Sequence, residues 1–256
     1  MRSIPFLFLL ALPAAAQAED TPICTDRPTK ANAVCTVPTG QWQIESSAVD
    51  WLRLDDGGSE TEVLLIAPTF VKLGLSARSD LEVGVAPYVR VTSGDGHVSG
   101  FGDILVRYKH RLTGDGAKVQ AAAIPFAKLP TADRDIGNGK VEGGLAVPIS
   151  FALAGPVTMT LGPEIDLLAD GDGHGRHAAI VQLVNLSAPV APGLTVVGEL
   201  WASWNFDPAG TVRQASADVA AAYAVTSNLQ LDAGANFGLT RETADIQLYA
   251  GASIRF

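Results

Sequence analysis

The chain is poor in the residues that build catalytic and metal centres. It has 4 His, 2 Cys and 2 Met in 256 residues. No Gly-x-Ser-x-Gly nucleophile motif occurs, and the glycine-rich stretches Gly94-Asp95-Gly96 and Gly137-Asn138-Gly139-Lys140 lack the strand–loop–helix context of a phosphate cradle. After residue 18 no apolar run approaches the roughly 20 residues that a membrane-crossing helix needs. A membrane protein of this sequence must therefore cross as closed strands. Helical periodicity is absent from residue 19 onward. Basic residues are also scarce: 18 Lys and Arg stand against 27 Asp and Glu, which argues against nucleic acid as a partner. These shortages predict no enzyme activity and no cofactor.

The two cysteines, Cys24 and Cys35, lie close together and form no Cys-x-x-Cys motif. With no histidine beside them, a disulfide in an oxidising compartment is the expected pairing. It would restrict the unfolded segment by about 3 kcal/mol in the chain-entropy picture.

The N-terminus carries Arg2, an apolar run over 4–12 and the small-x-small site Ala16-Gln17-Ala18. This pattern predicts a signal peptide over 1–18 and export from the cytoplasm. Residues 19–39 hold three prolines and little alternation. They predict an irregular periplasmic segment, either a partial plug of a barrel lumen or an ordered tail beneath it.

Residues 40–256 divide into twelve strand-length segments: 40–53, 62–75, 80–92, 101–112, 117–129, 140–153, 156–168, 177–190, 194–205, 213–225, 228–240 and 244–256. Connections between them alternate between short and long, and the long set is rich in Asp and Gly. Outer-membrane barrels have short periplasmic turns and longer external loops. The predicted fold is all-β, a transmembrane antiparallel up-and-down barrel of about 12 strands. Both termini would lie in the periplasm of a cell whose outer membrane holds the protein. Outer-membrane lipids, the barrel-assembly machinery and a small-molecule solute are the expected partners. The last segment alternates cleanly and ends on Phe256, the expected assembly signal.

Charged faces of such strands must point inward, because a charge at the bilayer midplane costs about 2–4 kcal/mol. The expected lumen residues are Glu82, Arg90, Asp103, Arg107, Lys109, Arg111, Lys128, Glu142, Glu164, Asp166, Glu199, Asp218, Asp232 and Arg255, with Asn236. One register would set Arg90 opposite Asp103 and Glu82 opposite Arg111, and the next hairpin would pair Lys128 with Glu142. Arg255 and Tyr249 would face Gln43 or Glu45 across the closing seam. Trp42, Trp51, Tyr108, Trp201, Trp204, Phe206, Tyr223 and Phe256 sit towards segment ends, as interfacial girdles do. A lumen of this kind fits a solute path with opposed basic and acidic walls, or a salt-bridge filling that serves stability alone. His174 and His177, with Asp170 and Asp172, are weak metal candidates beside the ordinary turn chemistry of Asp-Gly-Asp-Gly. His97 and Ser99 share a glycine-rich loop without a nucleophile signature.

Several stretches resemble the outer-membrane transporter family named for the meta-pathway of phenol degradation. They include Thr25-Asp26-Arg27-Pro28, Val37-Pro38-Thr39-Gly40 before Gln43-Ile44-Glu45, Ser99-Gly100-Phe101-Gly102-Asp103 and Lys128-Leu129-Pro130-Thr131. Further pieces are 136–144, Asn228-Leu229-Gln230-Leu231-Asp232-Ala233-Gly234 and Phe237-Gly238-Leu239-Thr240. The resemblance implies an outer-membrane barrel with a transport role, and its name suggests aromatic or hydrophobic solutes. The cysteine pair is not part of the family's pattern. The expected function is passive passage of a small solute; the alternatives are a closed barrel working through its loops and, behind both, an outer-membrane hydrolase.

Overall fold

The computed structural model describes residues 22–256; the expected signal peptide, 1–18, lies outside the described residues. Seventeen strand segments form one antiparallel sheet that closes on itself. In chain order they are β1 (Trp42–Asp55), β2 (Glu60–Ile66), β3 (Thr69–Ser76), β4 (Ser79–Val85), β5 (Tyr88–Ser93) and β6 (Gly96–Gly100). Then come β7 (Ile104–Arg111), β8 (Val119–Leu129), β9 (Glu142–Ala146), β10 (Ile149–Ala152), β11 (Thr158–Leu161) and β12 (Glu164–Ala169). The chain finishes with β13 (Arg176–Ala191), β14 (Leu194–Asn205), β15 (Val212–Thr226), β16 (Leu229–Gly238) and β17 (Ile246–Arg255). The pairs β2–β3, β4–β5, β6–β7, β9–β10 and β11–β12 each continue one another, so the segments make a barrel of twelve staves.

Proline explains four of the five breaks. Pro68, Pro87, Pro148 and Pro163 each interrupt a stave, because proline brings no N–H to the ladder. Neighbouring backbone fills in. Ser47 N–H donates to the Pro68 carbonyl at 3.1 Å and Ala122 N–H to the Pro148 carbonyl at 3.1 Å. At Ala86–Pro87 the break also exchanges the faces: Glu82 is buried before it, and Val89 after it, which turns Arg90 outward and exposed.

The barrel closes between β1 and β17. Gln43 faces Arg255 and Glu45 faces Ser253, as an antiparallel seam requires. A bulge between Ser47 and Val49 then shifts the register, so Tyr249 meets Asp50 and not Glu45. Phe256 extends the seam by one residue: its N–H donates to the Trp42 carbonyl at 2.8 Å, while its ring is exposed.

One expected long loop is short. The chain turns between β5 and β6 at residues 94–95, and β6 carries the hairpin outward. The remaining distal connections span 56–59, 130–141, 170–175, 206–211 and 239–245. The outward faces are apolar and open. Leu81, Leu145, Ile165, Leu186, Leu200 and Val219 are each more than a third exposed, a lipid-facing band and not a solvated surface. The buried set is the reverse of a soluble core, with Lys72, Lys109, Gln43, Glu82 and Asp80 among its most enclosed side chains. Those residues sit in the lumen.

Candidate functional site: a pinned loop in the lumen

Residues 22–38 do not hang below the barrel. They enter the lumen from the end that carries the termini, turn near Lys30 and return to the same end. The entry is fixed where Ile23 N–H donates to the Ser227 carbonyl at 2.7 Å and where Gln43 Nε2 donates to the Cys24 carbonyl at 2.6 Å. The exit is fixed where Val37 N–H donates to Asp80 at 2.8 Å. Beside it the wall is Gly74, where a Cβ would lie 2.0 Å from the Pro38 carbonyl oxygen, so only glycine admits the loop. A Cys24–Cys35 disulfide ties the two legs together at the base of the turn.

The loop is held by charges of both signs. Asp26 meets a basic wall: Lys72 at 2.6 Å, Lys109 at 2.7 Å and Arg107 at 3.4 Å. Two wall carboxylates complete that cluster. Glu45 pairs with Lys72 at 2.6 Å, and Glu82 pairs with Arg107 at 2.9 Å and Lys109 at 3.3 Å. Lys72, Lys109, Glu45 and Glu82 are each at most 3 % exposed, so each charge depends on its partners for compensation. On the far side the loop is cationic and the wall acidic. Arg27 pairs with Asp232 at 2.6 Å and Lys30 with Asp218 at 2.6 Å. Glu199 accepts the backbone N–H groups of Lys30 and Ala31, and Asn185 joins both Glu199 and the Thr29 hydroxyl. The Lys30 ammonium also lies 5.4 Å from the centre of the Trp201 ring, within cation–π range.

The expected lumen residues are thus sorted by what they touch. Arg107, Lys109, Glu82, Glu199, Asp218 and Asp232 bind or surround the loop. Asp103, Lys128 and Glu142 form a separate cluster near the distal end, with Lys128 at 3.1 Å from Asp103 and 2.8 Å from Glu142. Lys128 and Glu142 also face each other in register. Glu164 and Asp166 line a cavity and take part in none of these ion pairs. Arg255 binds the Asn228 side chain at 2.9 Å beside the closing seam.

Two expectations need correction. Arg90 does not meet Asp103, nor Glu82 Arg111: Glu82 faces Arg107, Asp80 faces Lys109 and Arg90 faces Ser99. The observed register is four residues away from the expected one, because the hairpin closes in the tight turn at 94–95, with Ser93 opposite Gly96, and Glu82 is shared among Lys72, Arg107 and Lys109. Arg111 instead pairs with Asp115 at 2.6 Å, in the turn after β7. Trp201 is no girdle residue, since it pairs in register with buried Ser216 and faces the lumen. Sequence reasoning missed Asp26, Arg27 and Lys30 as lumen ligands, and Lys72 as a wall charge. Lys72 carried a readable signal: one lysine in an apolar strand must point inward.

His177 bonds Asp170 at 2.8 Å through Nδ1, with Asp207 at 3.8 Å. The Asp207 carboxyl is itself held below the usual carboxylate range by the N–H groups of Ala209 and Gly171. Asp172 accepts the backbone N–H of His174, an ordinary turn contact. No group of three or more His, Cys, Asp or Glu placed to hold a metal occurs among the described residues. His97 and Ser99 are both exposed on β6.

The loop leaves three cavities. One of 450 Å³ lies between the loop and the β1–β7 wall, lined by Asp50, Phe70, Asp103 and Arg107 among others. One of 390 Å³ lies on the termini side, against Thr160, Asn185, Ser187 and Thr195. One of 330 Å³ lies on the distal side, against Gly162, Glu164, Asp166 and Leu183. Asn32, whose side-chain oxygen accepts from Arg107, borders all three.

Comparison with known proteins agrees with the architecture. The family model described as "Putative MetA-pathway of phenol degradation" matches residues 25–256. Among solved structures, the COG4313 outer membrane channel from Pseudomonas putida F1 is similar with a TM-score of 0.72 at 15% identity, over 90% of this chain and 100% of that one. The translocator domain of the autotransporter NalP from Neisseria meningitidis gives 0.53 at 14% identity, over 86% and 90%. The NanC porin gives 0.53 at 9% identity, over 83% and 98%. At such identities the likeness establishes the outer-membrane β-barrel fold. No protein of curated function matches the chain.

Proposed function

The chain belongs to that phenol-degradation family, and we propose that it is a passive outer-membrane channel for small solutes, narrowed by its own N-terminal loop. The observation that carries this reading is the loop itself. A barrel needing only stability could fill its lumen with wall side chains, as small barrels do. Here a disulfide-closed loop occupies the lumen and still leaves cavities of 330 to 450 Å³ beside it. Such spaces suit a single ring-sized molecule, in keeping with the family's description and with the neighbour named as a channel. No energy source is needed for movement down a gradient. The absence of a nucleophile signature and the exposed, unsupported positions of His97 and Ser99 weigh against the hydrolase.

The test is swelling of liposomes that contain the purified barrel, with neutral solutes of graded size. Phenol-sized molecules and small sugars should enter and oligosaccharides should not. Liposomes that admit none of them would contradict a channel.

The assembly machinery is expected to read the strand that ends at Phe256. Deleting Phe256 should cut the folded, heat-modifiable barrel recovered from outer membranes to a small fraction while export continues. Recovery equal to that of the unaltered chain would remove the signal from this residue.

A further inference from the structure

The three cavities are not equivalent, and their arrangement gives a route. On the β1–β7 side the 450 Å³ cavity is bordered by Asp26, Glu45 and Arg107, which are tied by ion pairs to Lys72, Glu82 and Lys109, wall residues at most 2 % exposed. On the β14–β17 side Arg27–Asp232 and Lys30–Asp218 stitch loop to wall. Along β11–β13 no ion pair crosses from loop to wall among the described residues. There the other two cavities stack one above the other. The inward cross-strand pairs run Asp166–Ala179, Glu164–Val181, Thr160–Asn185 and Thr158–Ser187. Between the second and third of these, Gly162 N–H donates to the Leu183 carbonyl. The distal cavity takes in Asp166, Glu164, Gly162 and Leu183; the termini-side cavity takes in Thr160, Asn185 and Ser187.

We infer that solutes pass the loop along this β11–β13 file, with Leu183 as the size filter and with neutral or cationic solutes preferred. The inference rests on the channel reading. Leu183 and Asn185, 5 % and 6 % exposed, mark the tight row between the two cavities. Gly162 is what makes room for Leu183, since a Cβ there would lie 2.7 Å from the leucine Cγ. Leu183 itself holds no part of the loop by hydrogen bond, whereas Asn185 does. The charge preference follows from the file's distal end. Glu164 and Asp166 stand there outside the lumen ion pairs, and Asp166 Oδ1 is buried without a hydrogen-bond partner. The nearest lumen cations are already matched, Lys30 to Asp218 and Arg107 to Glu82 and Asp26.

The test is conductance across planar bilayers in potassium chloride, on full-length protein whose barrel is verified by heat-modifiable migration. Leu183→Ala should raise the conductance, and Leu105→Ala, an equal truncation on the sealed side, should leave it unchanged. Ser187→Trp, at the termini end of the file, should lower it even if Leu183→Ala fails to fold. The reversal potential in a salt gradient should show cation preference and move towards zero in the Glu164→Gln/Asp166→Asn double variant. A rise with Leu105→Ala, full current with Ser187→Trp, or anion preference would overturn the route or its selectivity. No current from the unaltered chain would overturn the channel itself.

Discussion

Asp26→Asn is expected to release the loop from the lumen without unfolding the barrel. Asp26 is the single anion that the loop offers to Lys72, Lys109 and Arg107, at 2.6, 2.7 and 3.4 Å. Removing one partner from a buried ion cluster costs roughly 3–5 kcal/mol, because the charges left behind keep their desolvation penalty. In a soluble core that cost would fall on the whole fold. In a barrel lumen the loop can leave, and water can then solvate the three cations. The ladder that closes the barrel, from Gln43–Arg255 to Arg53–Ile246, does not involve the loop. Conductance should therefore rise several-fold while heat-modifiable migration and strand content stay as they were. A variant that unfolds, or one that conducts like the unaltered chain, would show that Asp26 does not set the position of the loop.

The Cys24→Ser/Cys35→Ser double variant should have the second-largest effect, expressed as gating and not as steady opening. The disulfide closes a short loop, and in the chain-entropy picture its loss returns about 3 kcal/mol of freedom to the segment. The ion pairs to both walls remain, so the loop should still seat for most of the time. Bilayer recordings should show brief large openings absent from the oxidised protein. Treating the unaltered chain with a small dithiol should reproduce them by thiol–disulfide exchange. Equal traces before and after reduction would mean that the ion pairs alone hold the loop.

The sequence made the strands legible and left the faces partly hidden. Period-two alternation placed the segment 194–205 where β14 lies, and the other boundaries fell close by. Mid-strand prolines were visible as well, but their effect on the faces was not. Pro87 marks a break that exchanges inside and outside, and Arg90 is the residue it misplaces. The Lys128–Glu142 pairing was readable because Pro130 falls in the loop, and no break within a strand separates either residue from its hairpin. The Glu82 register was not, because its cation partners come from both β3 and β7 and are shared with the loop anion Asp26, and pairwise matching cannot represent such a cluster. Opposed basic and acidic walls were evident as types of residue. What joins them was not, since Asp26, Arg27 and Lys30 lie in a segment with no periodicity to say where it goes.

The most direct measurement is the single-channel conductance of a chain lacking residues 22–36, compared with the unaltered chain in the same salt. A loop that fills the lumen and is pinned to both walls predicts a folded barrel with several-fold higher conductance and admission of larger neutral solutes. A folded barrel with unchanged conductance would contradict the account, because the width of the pore would then belong to the walls alone.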